Sequence, residues 1–394
     1  MDPVTHALSG AVLARAIVPG AATEKQVRTA RWTLVLGAIF PDIDVFANSF
    51  DPDHFGTIRI HRGVTHSLVC LPVWAFLFAL LAAWFCRRRG IAAPPRSILG
   101  LLFGVGIALH ILFDCITSFG TMVWSPISWT RVEWDWTFII DLSLTGVLLF
   151  FLLISWVAAE GKNRTRHAAF MFVLMGVLVG LYALASSALQ QPAPAWVLAG
   201  ILAVSVLPLV LALAGKGLAL SPRAWCCIGL VATSLYLGSN AWAHAHALDR
   251  VRECAAAGHL AITDAAAIPM PPNLNHWQGF ARTADSVHQW SISLAQSPNA
   301  GFAATAVPAW SGAPCPPVLW TIPQVRAWLH FARIPVVSCS LASGGNSAEF
   351  TDLRFERPSF AGEENTGRRR PISFTWRVTF SPAGRVLSEG WVLD

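Results

Sequence analysis

Long apolar runs separated by short polar, basic or turn-forming stretches fill the first 242 residues. Runs at 68–86, 98–116, 138–158, 168–188, 195–214 and 224–242 each supply the roughly 20 mostly apolar residues that a helix needs to cross a hydrocarbon core. Charge or turn chemistry bounds them: Arg87-Arg88-Arg89, Pro94-Pro95, Lys162-Asn163-Arg164, Gln190-Gln191-Pro192 and Gly215-Lys216. Two weaker apolar runs, 4–18 and 32–46, precede these and are short for full spans, so they read as tilted or re-entrant membrane helices. The opening Met1-Asp2-Pro3 has no basic region and no small-residue cleavage site after it, which argues against a secretory signal.

Past residue 242 the pattern changes. The middle of the tail is rich in Pro, Ser and Asn, and its end carries strand-like runs at 336–341, 372–380 and 385–393, the last two joined by a hairpin connection at 381–384. The stretch 362–370 reads as an exposed loop. The expected fold class is therefore a mainly α polytopic membrane protein, with six full spans plus two short N-terminal membrane helices. A small, mainly β C-terminal extracytoplasmic domain completes it. The expected divisions are 1–145, 146–242 and 243–394.

Composition agrees with the pattern: 54% of residues are hydrophobic and 13% are charged, about half the charged share of a soluble domain. This excludes a disordered chain, a wholly soluble enzyme and nucleic-acid binding as the main role. If the spans alternate, the stretches 19–31, 87–97, 160–167 and 215–223 lie on one side with twelve Lys/Arg, against three in 48–67, 117–137 and 189–194. Excess Lys/Arg marks the cytoplasmic side, so the tail is expected outside the cytoplasm, on a protein of the inner membrane. Eight cysteines occur with no CxxC pair. Cys254, Cys315 and Cys339 in the tail can include one disulfide in such a compartment.

Ionisable residues are costly beside a membrane, so their positions carry information. The last three spans contain none. The first half holds His6, Asp42 and Asp44 in Pro41-Asp42-Ile43-Asp44, His61 and His66 in His61-Arg62-Gly63-Val64-Thr65-His66-Ser67, and then His110 and Asp114. Imidazole and carboxylate are the ligands of divalent metals. All seven fall toward one face, the outer one, in an orientation fixed from Lys and Arg alone. His110 and Asp114 are four residues apart and so share a helix face. Gly63 implies a turn between His61 and His66, with Thr65 a candidate cap for the following helix. Four His and three Asp exceed what one tetrahedral zinc needs, so one or two divalent ions, zinc above all, are expected. Asp42 is the stronger ligand candidate of its pair. Asp42 or Asp44 is a candidate bridge or base, and Arg62 is either an interface anchor or a clamp for an anionic substrate. Glu133, Asp135 and Asp141 read as solvated or interfacial. His244, His246 and Asp249 read as an interfacial turn.

These motifs, followed by Gly120 and Trp124-Ser125-Pro126, resemble the bacterial YdjM-like family of membrane-bound, metal-dependent hydrolases over roughly residues 1–145. His61-Arg62-Gly63-Val64-Thr65-His66-Ser67 is the most specific part. More distantly, the order of His, Asp, His and then His110 and Asp114 is similar to zinc-dependent phospholipase C. The resemblance implies metal-dependent hydrolysis, with membrane lipid as the partner and a phospholipid or other phosphoester as the substrate class. Two other readings compete with it: a membrane transporter, and a membrane protein whose metal site is structural.

Overall fold

Asp2 sets the start of α1 (Pro3–Ile17): its carboxylate accepts the Thr5 N–H at 2.9 Å, and Pro3 occupies the first turn, where a missing N–H costs nothing. Thr23 and Gln26 form a capping box that starts α2 (Glu24–Ile39). This cap begins the helix well before the apolar run at 32, so Lys25, Arg28 and Arg31, expected in a loop, lie on it. Pro41 disfavours helix in the residue before it, and α2 gives way to 3-10 turns over Phe40–Phe50.

The computed structural model describes residues 1–18, 23–51, 55–159, 161–189, 193–272, 275–295, 305–312, 314–342, 345–355 and 374–392. After the short α3 (Gly56–Arg59) come α4 (Leu71–Arg88), α5 (Arg96–Cys115), α6 (Leu142–Ala159), α7 (Arg164–Ala188), α8 (Ala195–Leu213) and α9 (Pro222–Ala257). Helices α4 to α9 are all long and apolar enough to cross a membrane, which gives the six expected spans. α9 runs fifteen residues beyond the expected end at 242 and, with 36 residues, rises about 54 Å. His244, His246 and Asp249 therefore lie on helix rather than in a turn. The sequence there holds no Gly or Pro before Gly258, and the pairs Arg250–Glu253 and Arg252–Asp249 support it at helical spacing.

The chain divides into two units. The first comprises Met1–Asp44 and Arg62–Ala241. α5 lies deepest in it: 56% of its apolar stretch is buried, against 11% in α8, whose side chains face outward as lipid-exposed ones would. Gly37 of α2 and Gly106 of α5 let the two backbones touch. A Cβ on Gly37 would strike the Phe103 carbonyl, and one on Gly106 the Leu34 carbonyl. α1 is pinned to α6 by the Thr5 and Thr145 hydroxyls, 2.7 Å apart.

The second unit comprises Val45–His61 and Trp242–Asp394. Its first sheet is antiparallel, in the order β1 (Asp264–Pro269), β2 (His276–Arg282), β3 (Ser286–Ser293), β4 (Thr305–Pro308). Ala247, Val251 and Ala255, on the last turns of α9, pack with Trp277, Trp290 and Ile292 in its core. The second sheet runs β5 (Trp310–Gly312), then, after α10 (Pro323–Phe331), β6 (Pro335–Ala342), β7 (Gly345–Asp352), β8 (Thr375–Phe380) and β9 (Val386–Trp391). Only its β5–β6 pair is parallel. β6, β8 and β9 are the three expected strands. Residues 372–373 and 393 and the expected loop at 362–370 lie outside the described residues. Phe55, fully buried, sits against Trp376 and Trp391. Cys315 and Cys339 form a disulfide, and Cys254 is a free thiol.

Candidate metal centre

The tight α2–α5 crossing brings the end of α2 against the late turns of α5. His110 Nδ1 lies 2.7 Å from the Ala38 carbonyl, to which it donates. That bond fixes the tautomer and leaves the Nε2 lone pair for a cation, the usual second contact of a metal-binding imidazole. One turn further, Asp114 shares the His110 face. His6, one turn into α1, stacks on His110 with ring centroids 3.6 Å apart, its Nε2 3.3 Å from Asp114 Oδ1. Asp42 arrives from the 3-10 turns after α2, with Oδ1 3.5 Å from His110 Nε2. His6, Asp42, His110 and Asp114 each offer one ligand atom, all within 4.8 Å of one another, and this group could hold a metal ion. His6, His110 and Asp114 are fully buried, and the Asp42 side chain is 15% exposed.

His66 borders this group. Its Nε2 lies 3.1 Å from Asp114 Oδ2, 3.1 Å from His110 Nε2 and 3.8 Å from Asp42 Oδ1. Its Nδ1 lies 3.2 Å from Asp44 Oδ2. Burial lowers the His66 pKa, but hydrogen bonds with Asp114, Asp42 and Asp44 outweigh it and push the value up to about 10. Asp44 lies behind His66: Oδ2 accepts the Thr65 hydroxyl at 2.6 Å and the Arg62 N–H at 3.0 Å. Thr65 thus orients a carboxylate. Val64–His66 is a 3-10 turn, α4 begins only at Leu71, and the Ser67 hydroxyl accepts the Val69 and Cys70 N–H groups before it.

Arg62 takes the left-handed turn expected of Gly63, with φ 61°. Its side chain is buried rather than at an interface. One guanidinium nitrogen sits 3.0 Å from Asp114 Oδ1, another donates to the Thr117 hydroxyl at 2.9 Å, and Phe119 covers the plane. The Met1 amino group also contacts Asp114 Oδ1. His61 belongs to the second unit, in the turn after α3, and is not part of the four-donor group. Asp135 and Asp141, expected to be solvated or interfacial, are buried. Asp141 caps α6 through the Ser143 and Leu144 N–H groups and accepts the Tyr236 hydroxyl at 2.7 Å.

The donor set fits a divalent cation. Two carboxylates and two imidazoles converge, and Asp42 Oδ2 and His6 Nδ1 have no hydrogen-bond partner among the described residues. Two imidazole Nε2 atoms also face each other at hydrogen-bond distance, an arrangement that a shared cation or a shared proton resolves. Two groups that the sequence did not flag, the Ala38 carbonyl and Thr117, complete the centre together with Thr65, which the sequence marked only as a helix cap. Gly37 and Gly106 were the legible sign of the first.

Fold and site together define a polytopic membrane protein with a His/Asp cluster, able to hold a metal ion, built into its N-terminal helices. Residues 1–188 match the family model described as YdjM inner membrane protein. Comparison with curated proteins and with solved structures gives no significant match.

Proposed function

We propose that the chain is a membrane-embedded, metal-dependent hydrolase acting on a phospholipid or another phosphoester. The observation that carries this reading is the four-donor group with His110 locked by Ala38 and turned inward. Its two His and two Asp offer donors enough to hold one ion while leaving a coordination position to water, zinc being the natural candidate. Such an ion, when bound, lowers the pKa of water toward neutrality and stabilises charge on a phosphoryl or acyl oxygen.

The chain's own residues supply the rest. Asp42, the one member of the group whose side chain is partly exposed, carries an Oδ2 with no hydrogen-bond partner among the described residues, free to engage an ion or a water within the site. Asp44 holds His66 in orientation, and Arg62 holds Asp114, so the guanidinium acts on the site and not as a free clamp. An outer-leaflet location is supported by the bias of Lys and Arg toward the other set of loops. The disulfide, which suits an oxidising compartment, supports an extracytoplasmic second unit.

Burial of three of the four donors favours one other reading, a structural ion. A single experiment separates the two: elemental analysis of the purified full chain, with hydrolysis of phospholipid vesicles and a chromogenic phosphoester measured with and without chelator. The hydrolase reading expects turnover that chelator and the double variant His110→Asn/Asp114→Asn both abolish. Turnover indifferent to both would end it. Bound metal without turnover, whose removal lowers the melting temperature, would establish the structural ion instead.

A further inference from the structure

At the opposite end of α1 and α2 from the donor group, basic side chains gather without acidic partners. The two helices pack along their length: Gly10 faces Val35 and Ala38, and Ala14 and Val18 share a core with Val27, Ala30 and Leu34. This register sets Arg15 of α1 across from Arg31 of α2, close enough for the charges to repel each other. Both Nε atoms are shielded from solvent and lack a hydrogen-bond partner among the described residues. Arg223, at the start of α9, reaches in and donates from Nε to the Ala16 carbonyl at 2.8 Å, on the residue next to Arg15. Among the described residues no carboxylate pairs with any of the three.

A guanidinium keeps its proton at any working pH, so these charges cannot be relieved by titration. Like charges held together beside apolar helices are costly unless an anion joins them. A phosphate group presents several oxygens that planar N–H forks engage two at a time. Apolar surface lies beside the cluster: Ile17 is 40% exposed, Trp32 57% and Leu36 41%. α1, at 15 residues, rises about 22 Å, less than the roughly 30 Å core. A lipid with its phosphate on the arginines would lay its chains on that apolar surface.

We propose that Arg15, Arg31 and Arg223 form a binding site for a phosphate-class anion, met by an anionic phospholipid headgroup or by free phosphate. This site is separate from the donor group: Arg15 lies nine helical steps, about 13 Å of rise, beyond His6. It does not depend on hydrolysis.

The test uses delipidated, detergent-purified full chain and native mass spectrometry. Phosphatidylglycerol, phosphatidylcholine and inorganic phosphate are offered separately and in competition, with bound metal measured in parallel. The wild type is expected to prefer phosphatidylglycerol to phosphatidylcholine by about tenfold or more. The variant Arg15→Gln/Arg31→Gln is expected to lose that preference and keep its metal. Arg15→Lys/Arg31→Lys, which retains charge and so guards against misfolding of the first variant, is expected to keep a weakened preference. Inorganic phosphate that binds to the wild type alone and displaces the lipid identifies free phosphate as the occupant. Equal binding of both lipids with no phosphate binding, or a preference untouched in the Gln pair, overturns the proposal.

Discussion

Asp44 and His66 show how a carboxylate outside the four-donor group shapes it. Asp44 Oδ2 faces His66 Nδ1 and is itself held by Thr65 and the Arg62 N–H. Asp44→Asn keeps the shape but weakens the hold, so metal affinity should fall about 10- to 100-fold, as read by competition with a chelator. Unchanged affinity would show that Asp44 serves only the turn. Because imidazoles bind metal only when neutral, protons compete with the ion. Metal retained after dialysis should therefore decline as pH falls below neutral, and a rise on acidification would contradict the ligand assignment. His6, His110, Asp42 and Asp114 were legible as a set because apolar helices give charged groups few other uses. His61 is not a member of that set. It shares a motif with His66, yet the chain passes from one unit to the other between His61 and Arg62, and spacing along a sequence does not record such a passage. Nor did spacing show that Arg62, rather than Gly63, takes the left-handed turn.

The α2–α5 crossing is the element on which the centre depends. Gly106→Ala places a methyl against the Leu34 carbonyl and the Ala38 nitrogen. The helices must part, at a cost of about 1–3 kcal/mol, and the bond from His110 to Ala38 is lost with them. Thermal melting of the detergent-solubilised protein should fall, and bound metal with it. Gly176→Ala on α7 meets nothing within 4 Å, so it should leave stability unchanged or raise it by up to about 1 kcal/mol, with no fall in melting temperature; this contrast separates crossing from general helix chemistry. The six spans were legible because hydrocarbon thickness sets both their length and their composition. The start of α2 was hidden in polar residues that a capping box, rather than hydropathy, turns into helix. Most of the tail strands were hidden too. β1 is dominated by Ala265, Ala266 and Ala267, and β7 opens with Gly345-Asn346-Ser347, so neither shows the β-branched alternation that marked β6 and β8.

At the scale of the whole molecule, two predictions concern the second unit. A periplasm-dependent phosphatase fused after Asp394 should be active in intact cells, and an inactive fusion at normal abundance would place the tail in the cytoplasm. Cys315→Ala/Cys339→Ala opens a link across 24 residues, and denaturant unfolding followed by the tail tryptophans should show a loss of about 2–4 kcal/mol. Hydropathy and charge made the membrane part and the change of character near 242 readable. They gave no sign that residues 45–61 join the tail rather than the helices around them, because that choice rests on packing such as Phe55 against Trp376 and Trp391. The chain departs after Asp44 and returns at Arg62, and these two residues are hydrogen-bonded to each other. The intervening seventeen residues are thus an insertion knotted at its root. Substitutions within it that spare the buried Phe55 should leave the placing of Asp42, His66 and Asp114 intact, provided that the knot is kept.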